Sequence, residues 1–288
     1  MTSSNMLPTM IVSDLDGTLV RHGGPTADGS PSIDPGTSAA LIRAHDRGIR
    51  VLFATGRPPY WMADVSSAFG ATLVGVDGAW PVICANGALV YDLARGEPLL
   101  TRLINPDIGI AVVSQLRERL PGTVFAVEAG VHGWSEFRHE AAYDNRWNKA
   151  AVVVDDPVLL FSSPVVKLLA RHPDHSSDRM LDAAASSALE LVSMTHSTPG
   201  GEGLLEIGAH GVSKASTAAL LALEWGINPA DVVAFGDMPN DIDLLRWAGR
   251  SWAVGEAHDD VRAAASMGWC AGPESAGVAG IVLSLLDR

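Results

Sequence analysis

From Met10 the chain runs Met-Ile-Val-Ser-Asp-Leu-Asp-Gly-Thr-Leu, an apolar stretch that ends in two carboxylates one residue apart and a Gly-Thr turn. Few folds accept that order. An apolar run closed by glycine reads as a buried parallel strand at the point where it leaves its sheet. Open α/β sheets bind ligands just beyond the carboxyl ends of such strands, so Asp14 and Asp16 fall where chemistry is placed. Taken alone, the pair is as readily two solvated aspartates at a strand end. A calcium loop is excluded: an EF-hand needs Gly at its sixth position and Glu at its twelfth. Counted from Asp14, the Gly is fourth and the twelfth residue is Pro25.

The rest of the chain supplies partners for such a strand. After a Gly/Pro/Ser-rich loop, Arg21 to Ile33, Asp34-Pro35 offers a cap and a first-turn proline for a helix that Gly48 ends. Arg50 to Ala54 is the next strand, a helix is expected as far as Phe69, and Pro81 to Ala85 is a third strand ending at Asn86-Gly87. This alternation predicts a doubly wound parallel sheet. The pattern then changes. Strands at Ala88–Tyr91, Leu99–Ile104, Thr123–Ala129, Val165–Ala170 and Leu189–Thr195 mix with helices from Asn105 to Leu120 and from Ser177 to Ala188. That mixture predicts an inserted α+β layer with a mainly antiparallel sheet. Ser197 to Gly203 reads as a joint, and strand–helix alternation returns from Leu204 to the closing helix, Ser275 to Leu286. The expected division is a core over residues 1–87, an inserted domain over 88–197 and the second part of the core over 198–288.

Charge and composition narrow the function. The formal net charge of −13 repels nucleic acid and anionic membranes, and no Lys/Arg cluster offsets it. A small phosphorylated substrate stays compatible, because one bound divalent cation and one lysine set the local field. Cys84 and Cys270 match no metal or redox spacing and read as buried thiols of a reducing compartment. No signal peptide precedes the first strand and no run of 18 apolar residues occurs. The expectation is a cytoplasmic protein, a monomer or small homo-oligomer, with no nucleic-acid or membrane partner.

Three more sites stand at strand ends or helix starts. Thr55-Gly56-Arg57 follows Arg50–Ala54, and a hydroxyl with free N–H groups at a helix start suits an anion, although Thr-Gly is also an ordinary turn. Lys214, in Gly211-Val212-Ser213-Lys214, opens a helix where a cation opposes the dipole, so it needs a local anion. Asp237 and Asp241 flank a strand-to-helix turn and can point into one site, or act as a cap and a first-turn acid.

Asp14-Leu15-Asp16-Gly17-Thr18-Leu19 resembles the first motif of the haloacid dehalogenase superfamily of phosphatases and phosphotransferases. Thr55 stands where the second motif places Thr or Ser. Leu205-Glu206-Ile207 with Gly211-Val212-Ser213-Lys214 resembles the third motif of the Cof-type members, and Gly236-Asp237-Met238-Pro239-Asn240-Asp241 the fourth. Met238 departs from the Asn usual there. The resemblance covers the core on both sides of the insertion, whose placement matches the Cof-type cap.

The resemblance implies an α/β, Rossmann-like core with a cap, and a Mg²⁺-dependent phosphatase of small phosphorylated metabolites, sugar phosphates first. By it, Asp14 is the nucleophile that forms an aspartyl phosphate, Asp16 the general acid and base, and Lys214 the residue that holds Asp14 and the phosphate in register. Thr55, Gly56, Arg57, Asn86 and Asn240 bind phosphate or substrate, with Arg57 alternatively paired to a cap carboxylate. Mg²⁺ is held by Asp14, Asp16 (through its carbonyl), Asp237 and Asp241. Cap contacts to the leaving group are sought among Glu128, His132, Trp134, Arg138 and His139, in a loop-like stretch after Ala129, and Gly200, Gly201 and Gly203 suit a hinge. Two other readings remain: a phosphomannomutase-like mutase, which needs basic cap residues such as Arg138 and Lys167, and a catalytically silent binding protein of the same fold.

Overall fold

The computed structural model describes residues 6–21, 33–59, 81–93, 95–129, 136–145, 151–184, 190–197 and 203–287. The first part of the chain gives strands β1 (Met10–Ser13), β2 (Arg50–Ala54), β3 (Pro81–Cys84), β4 (Leu89–Asp92) and β5 (Glu97–Thr101). The middle gives β6 (Val124–Ala129), β7 (Glu136–Glu140), β8 (Val152–Val154), β9 (Val165–His172), β10 (Val192–Thr195) and β11 (Gly203–Ala209). Towards the C-terminus follow β12 (Val232–Gly236), β13 (Arg250–Val254) and β14 (Trp269–Cys270).

The larger sheet has the order β14-β13-β12-β1-β2-β3-β4-β5. It is parallel from β14 to β3 and ends in the antiparallel hairpin of β4 and β5. Alternation along β1 shows why its strands are apolar throughout: Ile11 packs under the helices Pro35–Asp46 and Gly277–Leu286. Its neighbours Met10 and Val12 pack under Lys214–Glu224 and Ile242–Trp247 on the opposite face. β1 lies between β12 and β2, so the carboxyl ends carrying Asp14, Thr55 and Asp237 are neighbours. The first helix is stopped and started as expected, with Asp34 accepting from the Thr37 N–H at 2.9 Å. This is the doubly wound core that the sequence predicts.

The smaller sheet has the order β10-β11-β9-β6-β7-β8 and is antiparallel except for β7 and β8. One face is covered by Pro106–Arg119 and Ser177–Ala184, which bury Phe125, Val127, Leu168, Ala170, Leu205 and Ile207. The period of two turns Glu128, Lys167 and Glu206 to the other face. Two stretches join the sheet opposite to the expected one. β4 and β5, expected in the insertion, extend the core sheet, because the turn at Ala85–Gly87 folds β4 straight back on β3. β11, expected in the returning core, pairs with β9 and β10. The stretch 88–197 therefore does not coincide with the second sheet. Glu136–Glu140 is a strand where a loop was expected.

The helix expected up to Phe69, the joint residues 198–202 and most of the loop Arg21–Ile33 lie outside the described residues, as do His132, Trp134, Gly200 and Gly201. No helix among the described residues is long and apolar enough to cross a membrane. Cys84 and Cys270 are free and buried.

Candidate active site

Asp14 follows β1 directly, and its N–H donates to the carbonyl of Phe235 at the end of β12. The backbone pairing of β1 with β12 thus fixes Asp14 beside the Asp237 turn. Lys214 begins the helix Lys214–Glu224, whose capping box is made by Ser213 and Ser216. Its ammonium is wholly buried and donates to Asp14 Oδ1 at 2.5 Å and Asp241 Oδ1 at 2.7 Å. The anion that a lysine at this helix start requires is supplied by these two carboxylates. Asp241 Oδ2 accepts from the N–H groups of Asp237 and Met238, both at 3.1 Å. Gly236 makes room for this turn: a Cβ there would lie 2.5 Å from that of Asp241. Thr18, to which the sequence assigned no role, donates its hydroxyl to Asp237 Oδ1 at 2.8 Å. Its place in the first motif was the available signal.

Asp14, Asp237 and Asp241 can each bring a carboxylate oxygen within 4.8 Å of the others, and all three are buried. One lysine cannot neutralise three buried carboxylates. Burial pushes the Asp14 carboxyl well above its usual range; Lys214 pulls it back, while Asp241, Asp237 and Asp16 push it further up. Burial likewise raises Asp241, against Lys214 and with Asp237. Burial opposes the charge on Lys214, but Asp14 and Asp241 outweigh it and hold the ammonium above the ordinary lysine range. An all-oxygen set with surplus negative charge is the environment that suits a hard divalent cation.

Asp16 stands apart from that trio. Its carboxylate is gripped by the guanidinium fork of Arg57, with Nε to Oδ2 at 2.7 Å and the second bond from Nη2 to Oδ1. Arg57 therefore pairs with a core carboxylate. Thr55 is buried and accepts the Arg57 N–H at 3.0 Å. Ala85 and Asn86 both have positive φ (48° and 55°), a conformation that asparagine tolerates better than most residues. Asn86 accepts from Asn240 Nδ2 at 3.0 Å and donates to Glu206 Oε2 at 3.1 Å.

Glu206 belongs to a cluster that sequence reasoning did not assemble. Lys167, on β9, lies between Glu128 on β6 and Glu206 on β11. Its ammonium is 2.9 Å from Glu206, 3.3 Å from Glu128 and 2.6 Å from the carbonyl of Gly56 in the core. Burial pushes Glu128 up to about 7 despite Lys167, with Glu206 adding to the rise. Burial opposes the charge of Glu206, but Lys167, Ser197 and Asn86 outweigh it and hold its carboxyl below the usual range. Of the other expected cap contacts, Arg138 is occupied by Glu136, Ser163 and the Leu160 carbonyl. His139 packs beside Phe137 and Tyr143. A cavity of about 520 Å³ opens between the sheets, with Lys214, Asn86 and Asn240 on one side and Lys167, Glu206 and His196 on the other.

Known proteins share this architecture. The chain is 25% identical over 256 residues to an HMP-PP phosphatase of Cronobacter sakazakii, covering 85% of this chain and 83% of that one. It is 24% identical to the 5-amino-6-(5-phospho-D-ribitylamino)uracil phosphatase YcsE of Bacillus subtilis, covering 88% and 86%. The solved HAD subclass IIB sugar phosphatase BT4131 superposes with a TM-score of 0.75 at 21% identity, over 97% of this chain and all of that one. Residues 11–282 match the haloacid dehalogenase-like hydrolases as a family. The chain belongs to that family, in its branch of Cof-type phosphatases.

Proposed function

We propose that this phosphatase hydrolyses monophosphate esters of small, hydroxyl-bearing metabolites, sugar phosphates among them, by transferring the phosphoryl group to Asp14. The observation that carries the reading is the buried array in which Lys214 bridges Asp14 and Asp241 beside Asp237. Asn86, Asn240, Ser193, Thr195 and His196, set in a cavity also lined by Leu181, Met194 and Ile207, offer hydrogen-bond partners that support a hydroxyl-bearing leaving group.

Asp14, Asp237 and Asp241, with the main-chain carbonyl of Asp16, would hold Mg²⁺, which supplies positive charge opposite the phosphoryl oxygens. Asp14 attacks phosphorus in line, the bond from phosphorus to the leaving oxygen breaks, and Asp16 gives that oxygen its proton. Asp16 then takes a proton from the water that attacks the aspartyl phosphate, and inorganic phosphate leaves Asp14. The Arg57 fork takes both Asp16 oxygens, so one of its two bonds opens when Asp16 carries the proton it donates. Lys214 and the Thr55 hydroxyl oppose the charge on the transferring group.

Both cationic residues on which a mutase would rely are already engaged, Arg138 within the cap and Lys167 at the cap–core contact. This favours hydrolysis over a second phosphate site. Phosphate release from p-nitrophenyl phosphate and a panel of phosphorylated metabolites tests the reading. Turnover should require Mg²⁺ and fall at least about 10⁴-fold in Asp14→Asn; hydrolysis that survives this substitution would overturn the aspartyl-phosphate mechanism.

A further inference from the structure

The turn Thr55-Gly56-Arg57 is held by two different parts of the molecule. The core backbone takes the outer carbonyls: the N–H of Asn86 donates to the Thr55 oxygen at 3.0 Å and the N–H of Ala85 to the Arg57 oxygen at 2.9 Å. The middle carbonyl, Gly56, is reached from the second sheet, by the ammonium of Lys167 at 2.6 Å. The same peptide unit carries the Arg57 N–H, which donates to Thr55 Oγ1 at 3.0 Å. One rigid peptide plane is thus gripped at both ends, by a cap lysine on its oxygen and by the Thr55 hydroxyl on its nitrogen.

The chemical consequence follows from hydrogen-bond direction. A hydroxyl that accepts the Arg57 N–H has its own hydrogen left to donate. A charge-assisted bond at the carbonyl polarises the peptide and strengthens the bond made by its N–H. Lys167 is itself fixed by Glu206, which also accepts from Asn86 and from Ser197 Oγ at 2.8 Å. Gly56 is packed so closely that a Cβ would stand 3.1 Å from Asn86 Oδ1 and 3.3 Å from Glu206 Oε1. This contact is therefore continuous from the cap sheet into the turn.

We propose that Lys167 is a positioning residue for catalysis: by holding the Gly56–Arg57 peptide from the cap, it aims the Thr55 hydroxyl at the phosphoryl group and couples cap closure to assembly of the phosphate site. The proposal rests on the phosphatase reading above. A lysine that only touched the leaving group would act on substrate choice; this one acts on the phosphoryl site, whatever the leaving group.

The test is a double-mutant cycle of Lys167→Met and Thr55→Val in the full chain, read with p-nitrophenyl phosphate and with inorganic phosphate as competitive inhibitor. Wild-type turnover lost in Asp14→Asn establishes the underlying chemistry separately. Lys167→Met should lower kcat about 10- to 100-fold and weaken inhibition by phosphate, while the Mg²⁺ concentration for half-activation stays unchanged. In the Thr55→Val background the same substitution should cost less than about threefold, because the hydroxyl it positions is gone. Lys167→Arg keeps a cationic donor of at least the same reach and should recover part of the loss; if Lys167→Met fails to fold, the cycle is read with Lys167→Gln, whose neutral donor stops one bond short. Fold-changes that multiply in the double variant would overturn the proposal, as would an unchanged inhibition constant for phosphate.

Discussion

Among the described residues a lysine is buried between two carboxylates twice, once in the core and once at the cap, and the two sites differ in charge balance. In the core, Lys214 faces Asp14 and Asp241 with Asp237 beside them, leaving the array short of positive charge. At the cap, Lys167 faces Glu206 and Glu128, but neutral donors from Asn86 and Ser197 share the load on Glu206. Glu128 is pushed up to about 7 and gives up its charge easily. The first arrangement leaves negative charge unbalanced, as the proposed cation site requires; the second is nearly balanced by its own side chains. A buried ion pair costs desolvation wherever it sits. What it does depends on whether its surroundings leave charge to be balanced by something else.

The largest break in this comparison is Lys214→Met. It should lower kcat about 10³-fold, and it leaves two carboxylates facing one another, a destabilisation of about 3–5 kcal/mol in metal-free protein that thermal melts would report. A melt that moved by less than a degree would show that the charge surplus is relieved some other way.

Metal binding sharpens the contrast next. Mg²⁺ at a hundred times its dissociation constant should raise stability by about 2.7 kcal/mol. Asp237→Asn removes one charge from the trio but leaves Lys214 and its two partners in place. The metal-free variant should therefore melt no lower than wild type while its response to Mg²⁺ disappears. A full response in Asp237→Asn would remove this residue from the cation site.

The smallest effect belongs to the cap. Glu128 has a folded pKa of about 7 against an ordinary 4.5, so the folded state binds its proton more readily than the unfolded one. Below pH 4.5 both states hold that proton and the group contributes nothing. Stability is lost as pH rises from there to about 7, beyond which the loss is complete. Glu128→Gln, which cannot ionise, should gain roughly 2 kcal/mol on wild type between pH 5 and pH 8. Equal urea midpoints for the two proteins at pH 8 and at pH 5 would remove the argument for a shared, overcommitted Lys167.

The core site was legible because every part of it is local to one strand end or helix start. Taken singly, Asp14, Thr55 and Asp237 read as readily as ordinary strand ends, turns or caps; their order and resemblance to four motifs marked them, and the parallel order of the sheet brings those ends together. The cap cluster had no such mark. Glu128, Lys167 and Glu206 become neighbours only through the pairing of β6, β9 and β11, and nothing adjacent to any of them in the chain predicts that register. The hairpin of β4 and β5 was read into the wrong sheet for a related reason. Alternation shows that a segment is a strand but does not say which edge it joins.

The sequence by itself determined the doubly wound core and set Asp14, Lys214, Asp237 and Asp241 at strand ends and helix starts, since these follow from short-range pattern; the family came from the resemblance of four ordered motifs. Only the tertiary structure decided that Arg57 holds Asp16, that Asn86 and Asn240 join Glu206, and that Lys167 reaches across to Gly56. Those contacts join residues from 41 to 154 positions apart, and their geometry is set by how the sheets pack, which no local stretch of the chain encodes.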